Sequence, residues 1–319
     1  MAREPLHQLP REPWYTRGGG PVPRAPLIMW SLCRKLVASL ALISCAVWYA
    51  QTHFYRDPGS RFFDPSRAYE QKYSRHRRAE VQQFIEQYAS AGAAHDAPTR
   101  GESGAGRSLC VTFTSVRRQR IQYVETAVAS ALGNLLPQER ADAEHLETLE
   151  DKREFAEKGV FDYIYALEAC AQTDTPYIGI LEDDVLLADG WLARALLGLR
   201  DISNCGKASV WPPSRGVVDE PFGCCSQVMV FPREQVASLV RFLGTRRGQV
   251  DLLLNEWAEE AGLARYALYP VMAQHMGVDS ARGTVVDEAQ AIWSMAFEDL
   301  EPARLDRDHR RMVKEYYGG

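Results

Sequence analysis

Three consecutive acids at the end of an apolar segment limit the fold of this chain more than any other feature. Residues 177–181, Tyr-Ile-Gly-Ile-Leu, predict a buried strand, and Glu182, Asp183 and Asp184 follow it directly. Adjacent carboxylates repel one another, so keeping three of them at the end of a core strand is costly. In open α/β sheets, ligands bind at the carboxyl ends of the strands. The segment therefore predicts a ligand site at a sheet edge.

Strands and helices alternate on both sides of these acids. Residues 108–116 predict a strand, residues 117–136 a helix with apolar positions at helical spacing, and residues 159–171 a second helix before the acidic strand. The same alternation continues through four later segments, at 224–232, 233–245, 249–262 and 264–277. The chain is therefore predicted to be an α/β protein with a parallel-rich, doubly wound sheet.

A long uncharged segment near the N-terminus predicts a membrane anchor. Residues 36–55 carry no Lys, Arg, Asp or Glu, and as a helix they span about 30 Å, enough to cross a bilayer once. Arg34 and Lys35 precede the segment, which favours a single-pass type II topology with a cytosolic N-terminus and a lumenal C-terminal body. A cleaved signal peptide and a buried core helix are the alternatives.

The sequence predicts five regions along the chain. A cytosolic tail comes first, and the membrane anchor follows it. A charged helical stem with a Gly/Ala/Ser-rich linker connects the anchor to a body, and a charged, peripheral tail ends the chain. Their bounds are 1–35, 36–55, 56–107, 108–300 and 301–319.

Charge and cysteine spacing disfavour two classes of function. Residues 1–107 contain 15 Lys/Arg and 9 Asp/Glu, whereas residues 108–319 contain 22 Lys/Arg and 33 Asp/Glu. An acidic body is unsuited to nucleic acid, because binding to phosphates needs clustered basic residues. None of the seven cysteines shows a C-x-x-C spacing, which argues against a zinc site. Disulfides are plausible in a lumenal body, but the sequence does not indicate their pairing.

The acid cluster, residues 182–184, has two interpretations from the residues alone. A hard divalent cation held by one or two carboxylates and by a substrate diphosphate would offset their repulsion, and Mg²⁺ and Mn²⁺ prefer such ligands. Alternatively, the acids form an exposed turn at the N-terminus of the next helix, where the dipole favours negative charge. An aspartyl-phosphate phosphatase is disfavoured because its two aspartates are separated by one residue, whereas Asp183 and Asp184 are adjacent.

Four motifs in a fixed order resemble those of a known enzyme family. They are Leu-Glu-Asp-Asp-Val at 181–185, Asp-Gly-Trp at 189–191, Phe-Gly-Cys-Cys-Ser-Gln-Val-Met-Val-Phe-Pro-Arg-Glu at 222–234 and Tyr-Pro-Val-Met-Ala-Gln-His-Met-Gly at 269–277. Together they are similar to the membrane-bound N-acetylgalactosamine transferases of the GPI anchor, and more distantly to N-acetylglucosaminyltransferase IV. The resemblance runs from about Cys110 to Phe297.

This resemblance implies a GT-A fold, the Rossmann-like domain of nucleotide-diphosphosugar transferases, with a UDP-sugar donor and a Mn²⁺ or Mg²⁺ ion. It implies transfer of an N-acetylhexosamine, with N-acetylgalactosamine favoured, to a mannose of the GPI glycolipid in the Golgi membrane. A protein-linked glycan acceptor and the ER membrane are the alternatives. Carried over to this sequence, Glu182 and Asp183 bind the donor and Asp184 is the direct metal ligand. His275 reaches the metal or the diphosphate.

The remaining candidate residues follow from the chemistry of sugar transfer. A cation bridging both phosphates stabilises the UDP leaving group, and an acceptor hydroxyl that attacks with inversion needs a general base. Asp251 is the candidate base and Glu256 the alternate, although Asp251 also fits the N-cap of the helix that follows it. Thr114 is predicted to lie near the nucleotide, with Arg117 and Arg118 balancing the diphosphate. Solvated surface arginines are the alternative for that pair.

Two segments are shorter than the resemblance implies. Residues 137–160 contain only a charged, helix-like segment where a GT-A sheet has a second strand. Residues 201–222 lack the paired membrane spans of the GPI transferases. Two functions therefore stay open: a simplified single-anchor transferase, or a lumenal protein of the same fold that binds UDP-sugar or glycan without turnover.

Overall fold

The protein is a mixed α/β protein with an apolar N-terminal helix. The computed structural model describes residues 25–90, 107–115, 122–145, 155–205, 216–220, 223, 225–277 and 293–318. The helices are α1 (Ala25–His53), α2 (Pro65–Ala68), α3 (Tyr73–Ser90), α4 (Val124–Leu132), α5 (Pro137–Asp142), α6 (Phe155–Ala171), α7 (Trp191–Cys205), α8 (Arg233–Thr245), α9 (Val250–Glu260), α10 (Met295–Glu298) and α11 (Pro302–Tyr317). The strands are β1 (Leu109–Thr114), β2 (Ala143–His145), β3 (Tyr177–Glu182), β4 (Val185–Leu187), β5 (Gly216–Asp219), β6 (Val228–Pro232), β7 (Tyr266–Tyr269) and β8 (Ala273–His275).

The chain divides into two compact units, Met1–Pro65 and Ser66–Gly319. The first unit contains α1, whose segment Leu32–His53 has a mean hydropathy of 1.5. Within the part of the chain that the structure describes, it is the one helix long and apolar enough to cross a membrane. A membrane anchor and a signal sequence both have these properties.

A four-stranded sheet in the order β2-β1-β3-β6 lies in the second unit. β1 runs parallel to β2 and β3, whereas β6 runs antiparallel to β3. The register pairs Thr114 with Glu182, so β1 and β3 end at the same edge. Because β6 is antiparallel and its first residue, Val228, pairs with Leu181, the segment that leads into β6 arrives at that edge as well.

The side chains of β3 alternate between two apolar cores, because successive residues of a strand point to opposite faces. Ile178 and Ile180 pack in a core with α6, α8 and α9, whereas Leu181 packs in a core with α3, α4 and α7. Each fully buried isoleucine contributes about 1.5–3 kcal/mol relative to an exposed one. Helices cover both faces of the sheet, which confirms the predicted α/β class. The alternation also directs Glu182 to the face covered by α6 and α9, called the α6/α9 face below.

A short strand lies in residues 137–160, where the sequence predicts only a charged, helix-like segment. β2 spans three residues and pairs with Leu109, Cys110 and Val111 of β1. The prediction is wrong at this point because a three-residue edge strand has too few positions to show an alternating pattern.

The predicted stem helix and C-terminal tail both belong to the second unit. Tyr73 and Val81 of α3 lie in the same core as Leu181. α11 buries four side chains that share one helical face: Leu305, His309, Met312 and Val313. Residues 302–317 therefore form a packed helix rather than the predicted peripheral tail, because their Asp, Glu, Lys and Arg side chains lie outside the buried face.

Cys110 of β1 and Cys170 of α6 form a disulfide, a pairing that the sequence leaves open. The two residues are separated by 60 positions along the chain. Closing a loop of that length restricts the unfolded chain and contributes about 4 kcal/mol in the chain-entropy treatment. The link fixes α6 against the α6/α9 face of the sheet.

Candidate functional site

The acid cluster lies at the carboxyl edge of the sheet. The Asp183 N–H donates to the Thr114 carbonyl oxygen at 3.0 Å, and the Glu182 N–H donates to the Gln227 carbonyl oxygen at 2.9 Å. Thr114 also directs its hydroxyl back to the Leu181 carbonyl oxygen, at 3.4 Å. Backbone hydrogen bonds on both sides thus hold the acids where β1, β3 and the segment before β6 meet.

The three acids do not form an exposed turn at the start of the next helix. β4 separates them from α7, which begins only at Trp191. The helix dipole acts within the first turn, so it does not reach the acids through α7. Asp183 is 2% exposed and Asp184 is 8% exposed, which also contradicts the interpretation as a solvated turn.

Glu182 sits in a position that disfavours its charge. Its Oε1 accepts a hydrogen bond from Ser226 Oγ at 2.7 Å. Burial raises the pKa of the Glu182 carboxyl above its usual range, and the charges of Asp184 and then Asp183 add to the rise. The Ser226 hydrogen bond and the His275 imidazole oppose it. The carboxyl therefore holds its proton more tightly than an exposed glutamate.

The Asp183 side chain bonds the residue that follows β1. Its Oδ2 accepts a hydrogen bond from Ser115 Oγ at 2.8 Å, directly after the end of β1. This bond ties the ends of β1 and β3 together through side chains. Asp183 thus holds the ends of β1 and β3 together at the sheet edge, whereas Glu182 faces the α6/α9 side.

Asp184 and His275 form the central pair of the site. β4 and β8 pair antiparallel with Val185 opposite His275, which places the histidine beside the acid cluster. His275 Nε2 lies 3.2 Å from Asp184 Oδ2, and both side chains are mostly buried. The Met276 N–H donates to the Asp184 carbonyl oxygen at 2.7 Å and fixes the two segments against each other.

The chemistry of this pair fits a divalent cation that a substrate helps to hold. Two ligands that each lie about 2.1 Å from an octahedral ion are about 3 Å apart, close to the observed separation of Asp184 and His275. Mn²⁺ accepts both carboxylate oxygen and imidazole nitrogen. Among the described residues, no group of three or more His, Cys, Asp or Glu side chains is arranged to hold a metal ion. A cation bound here would take further ligands from water or from a phosphorylated substrate.

Four further residues are predicted for the site: Arg117, Arg118, Asp251 and Glu256. Arg117 and Arg118 lie outside the described residues. Asp251 is in the first turn of α9, and its Oδ1 accepts a hydrogen bond from the Leu252 N–H at 2.9 Å. The N-cap position itself is taken by Gln249, so the N-cap interpretation of Asp251 is wrong by two residues.

Neither candidate base contacts the acids directly. Within the described part of the chain, no hydrogen bond or ion pair links Asp251 or Glu256 to the acid cluster, and Glu256 is exposed to solvent. Asp251 does share a helical face with Asn255, four residues later, whose Nδ2 donates to the Gly223 carbonyl oxygen at 3.3 Å. That face of α9 is therefore turned toward the segment that leads into β6.

Ser115 and Ser226 are site residues that the sequence does not indicate. Both are common polar residues in loops, and their role depends on which carboxylate the fold brings within reach. Ser226 lies within the Gly-Cys-Cys motif at 222–234, which is the signal that points to its segment.

A second cluster of titratable groups, also missed from the sequence, lies around His309. Its Nε2 is 2.6 Å from Glu139 Oε2, and its Nδ1 is 3.2 Å from Asp189 Oδ1. Glu139 also accepts hydrogen bonds from the N–H groups of Leu136 and Ala193. The cluster borders a cavity of about 710 Å³ between α3 and α11. It joins α11 to α5 and to the turn before α7, which is a structural role.

The sequence matches no protein-family model and no curated protein. The likeness to the GPI transferases thus rests on the four motifs. In the structure, the Leu-Glu-Asp-Asp-Val and Gln-His-Met-Gly segments meet through the β4–β8 pairing. The Gly-Cys-Cys-Ser segment reaches the same place through Ser226.

Proposed function

We propose that this protein is a metal-dependent glycosyltransferase with a GT-A fold, anchored in the Golgi membrane by α1 with its second unit in the lumen. It transfers an N-acetylhexosamine, with N-acetylgalactosamine favoured, from a UDP-sugar to a mannose of the GPI glycan, with inversion. The observation that supports this most strongly is the buried Asp184–His275 pair beside Glu182 at the carboxyl edge of the sheet.

Each acid has a separate task in this proposal. Asp184 and His275 hold the cation, which when bound stabilises the negative charge on the departing diphosphate. Glu182, which accepts the hydrogen bond from Ser226, binds the donor beside this pair. Asp183, held by Ser115, keeps the ends of β1 and β3 in register.

The transfer step exchanges one carbon–oxygen bond for another. The bond between the anomeric carbon and the phosphate oxygen breaks, and its electron pair leaves with UDP. The acceptor hydroxyl oxygen bonds the anomeric carbon from the opposite face, and its proton passes to a carboxylate base. Asp251 is the better candidate for that base, because it shares a helical face with Asn255 whereas Glu256 is exposed.

Release of UDP from UDP-N-acetylgalactosamine tests the proposal. The full-length protein in detergent, with Mn²⁺ and a mannose-containing GPI glycan, is expected to release UDP, and Asp184→Asn is expected to reduce the rate to background. Asp174→Asn, an exposed aspartate before β3, serves as the matched control. Equal rates for Asp184→Asn and the wild type would contradict the proposal.

A non-catalytic protein that binds UDP-sugar or glycan on the same fold is the second candidate. The absence of a contact between either candidate base and the acid cluster, within the described residues, favours it. Calorimetry separates the two functions. Binding of UDP with Mn²⁺, without turnover across a panel of donors and acceptors, would establish the binding protein.

A further inference from the structure

Three polar atoms on the α6/α9 side have no hydrogen-bond partner in the part of the chain that the structure describes. They are Tyr163 Oη, Asn255 Oδ1 and Arg265 Nη1, from α6, α9 and the residue before β7. Tyr163 is 3% exposed and Asn255 is 8% exposed. Unpartnered buried polar atoms are costly, and native structures contain few of them. Three such atoms on separate elements leave hydrogen-bonding capacity on this side for a ligand to use.

Two of these side chains meet at one backbone atom. Asn255 Nδ2 and Arg265 Nη2 both donate to the Gly223 carbonyl oxygen, at 3.3 Å and 3.5 Å. A Cβ at Gly223 would lie 2.7 Å from Arg265 Nη2, so a side chain at this position would require the guanidinium to shift. Three residues further on, Ser226 bonds Glu182. One short segment therefore connects both side chains to the acid cluster.

The Tyr163 hydroxyl lies near Glu182 and Arg265 as well. Burial raises the pKa of its hydroxyl well above the usual range, the charge of Glu182 adds to this rise, and the guanidinium of Arg265 opposes it. The hydroxyl therefore lies within the fields of both groups. The alternation along β3 independently directs Glu182 to the α6/α9 face, where α6 carries Tyr163.

The unused hydrogen-bonding capacity identifies the ligand's chemistry. Asn255 Oδ1 only accepts, Arg265 Nη1 only donates, and the Tyr163 hydroxyl does both. A phosphate or carboxylate offers acceptors alone and would leave the Asn255 oxygen unpartnered beside a negative charge. Hydroxyl groups on adjacent carbons donate and accept at once, so they satisfy all three atoms. A sugar ring has this pattern.

We propose that Tyr163, Asn255 and Arg265 bind the ring hydroxyls of a hexose next to the acid cluster and determine which sugar the protein accepts. The assignment of the ligand as a sugar substrate rests on the proposed function, whereas the binding site itself rests on the three unpartnered atoms. The same ring chemistry is present in the transferred sugar of the donor and in a mannose acceptor.

Tyr163→Phe tests the site in full-length protein in detergent. One arm measures by calorimetry the affinity of UDP and of UDP-N-acetylgalactosamine, UDP-N-acetylglucosamine, UDP-galactose and UDP-glucose, each with Mn²⁺. The other arm follows methyl α-mannoside by saturation-transfer NMR. Loss of one hydrogen bond is expected to lower the affinity for the sugar that occupies the site about tenfold. If Tyr163→Phe binds a UDP-sugar more weakly but binds UDP as well as the wild type does, the site holds the sugar ring of the donor. If it binds the mannoside more weakly, the site holds the acceptor.

Two further variants keep the result interpretable. Tyr165→Phe, at an exposed tyrosine of the same helix, is the matched control and is expected to change nothing. The melting temperature of Tyr163→Phe is expected to stay level or rise, because the hydroxyl removed has no protein partner. Arg265→Lys keeps the positive charge but loses the forked donor geometry, and it is expected to weaken the same ligand as Tyr163→Phe.

The outcomes for this site and for the proposed function are separate. Failure of wild-type protein to bind UDP with Mn²⁺ contradicts the proposed function, while the mannoside arm still measures the hexose site. Sugar binding that is identical in Tyr163→Phe and the wild type overturns the inference. So does an absence of sugar binding by the wild type in both arms.

Discussion

Asp184 and His275 approach each other across a residue that has no side chain. A Cβ at Gly277 would lie 2.8 Å from His275 Cε1 and would overlap the Asp184 carboxylate. Contacts that short do not persist, so any side chain at this position must push the two groups apart. The separation that suits a shared cation thus depends on a glycine adjacent to the pair in space.

Gly277→Ala is expected to weaken binding of UDP with Mn²⁺ by about tenfold or more, because misplacing one of two ligands costs at least one good interaction. Calorimetry on the purified protein measures this directly. Gly244→Ala in α8 is the matched control, since a Cβ there meets nothing within 4 Å. It should leave binding unchanged and raise the free energy of unfolding by up to about 1 kcal/mol. Equal affinities for the two variants would show that Asp184 and His275 do not act together.

His309 is a second residue whose properties come from its neighbours. Burial alone lowers the pKa of this imidazole, but the hydrogen bonds and charges of Asp189 and Glu139 outweigh burial and raise the pKa to about 9. Tyr73 completes the surroundings, because its hydroxyl oxygen accepts the Asp189 N–H at 3.0 Å. The folded state therefore favours the protonated imidazole.

The stability that His309 provides is expected to fall at alkaline pH. Its folded pKa lies above the ordinary value of 6.5, so the contribution is complete below pH 6.5 and is lost as the pH rises through about 9. Solvent screening limits the loss in the free energy of unfolding to about 2 kcal/mol or less. Urea titrations should show that the difference in free energy of unfolding between the wild type and His309→Gln becomes smaller over this pH range. His76→Gln, at a surface histidine, should show no such trend. A gap that is constant with pH would contradict the assigned protonation.

At the scale of elements, α3 is held to the sheet domain by a buried arginine. Arg77 is 1% exposed, and it donates to the carbonyl oxygens of Leu187 at 2.9 Å and Ser130 at 3.0 Å. It also pairs with Glu80 on its own helix. One side chain of α3 therefore donates hydrogen bonds to both α4 and β4. A stem helix detached from the sheet domain would make no such bonds.

Arg77→Ala is expected to lower the free energy of unfolding by about 3–5 kcal/mol, because it leaves two buried carbonyl groups without their donor. Urea denaturation measures the loss. Arg75→Ala, two residues earlier and exposed, should stay within about 0.5 kcal/mol of the wild type. If the two variants were equally stable, α3 would be a separable stem as the sequence suggests.

The elements found from the sequence are those whose pattern is local. β1, β3 and α6 show apolar periodicity in one continuous stretch, and the acids at the end of β3 mark the sheet edge where the candidate site lies. β2 is too short to show any period. The buried face of α11 is obscured by the many charges that share its sequence. Ser115 and Ser226 acquire their roles only when β1, β3 and β6 come together, which no local pattern reveals.

At the scale of the whole molecule, the predicted topology concerns which side of a membrane each unit occupies. α1 has the length and hydropathy of a membrane span, and the basic residues before it favour a cytosolic N-terminus. The disulfide between Cys110 and Cys170 is consistent with an oxidising lumen.

Protease added to sealed microsomes is expected to trim only the predicted cytosolic tail, because the membrane shields the second unit. Electrophoresis with an antibody against the C-terminal residues reads out the protected fragment. Detergent should abolish the protection, which serves as the control. Complete digestion in intact vesicles would place the second unit outside and contradict the lumenal location.

The candidate site draws on stretches that are far apart in the chain, from Thr114 through the acid cluster to His275 and Gly277. A ribosome synthesises them in that order, and Cys110 and Cys170 both emerge before any of the three acids. The disulfide can therefore form early during synthesis, whereas Asp184 and His275 can come together only after β8 has been synthesised. A chain whose synthesis stops before His275 can therefore contain the Cys110–Cys170 disulfide and still lack the Asp184–His275 pair.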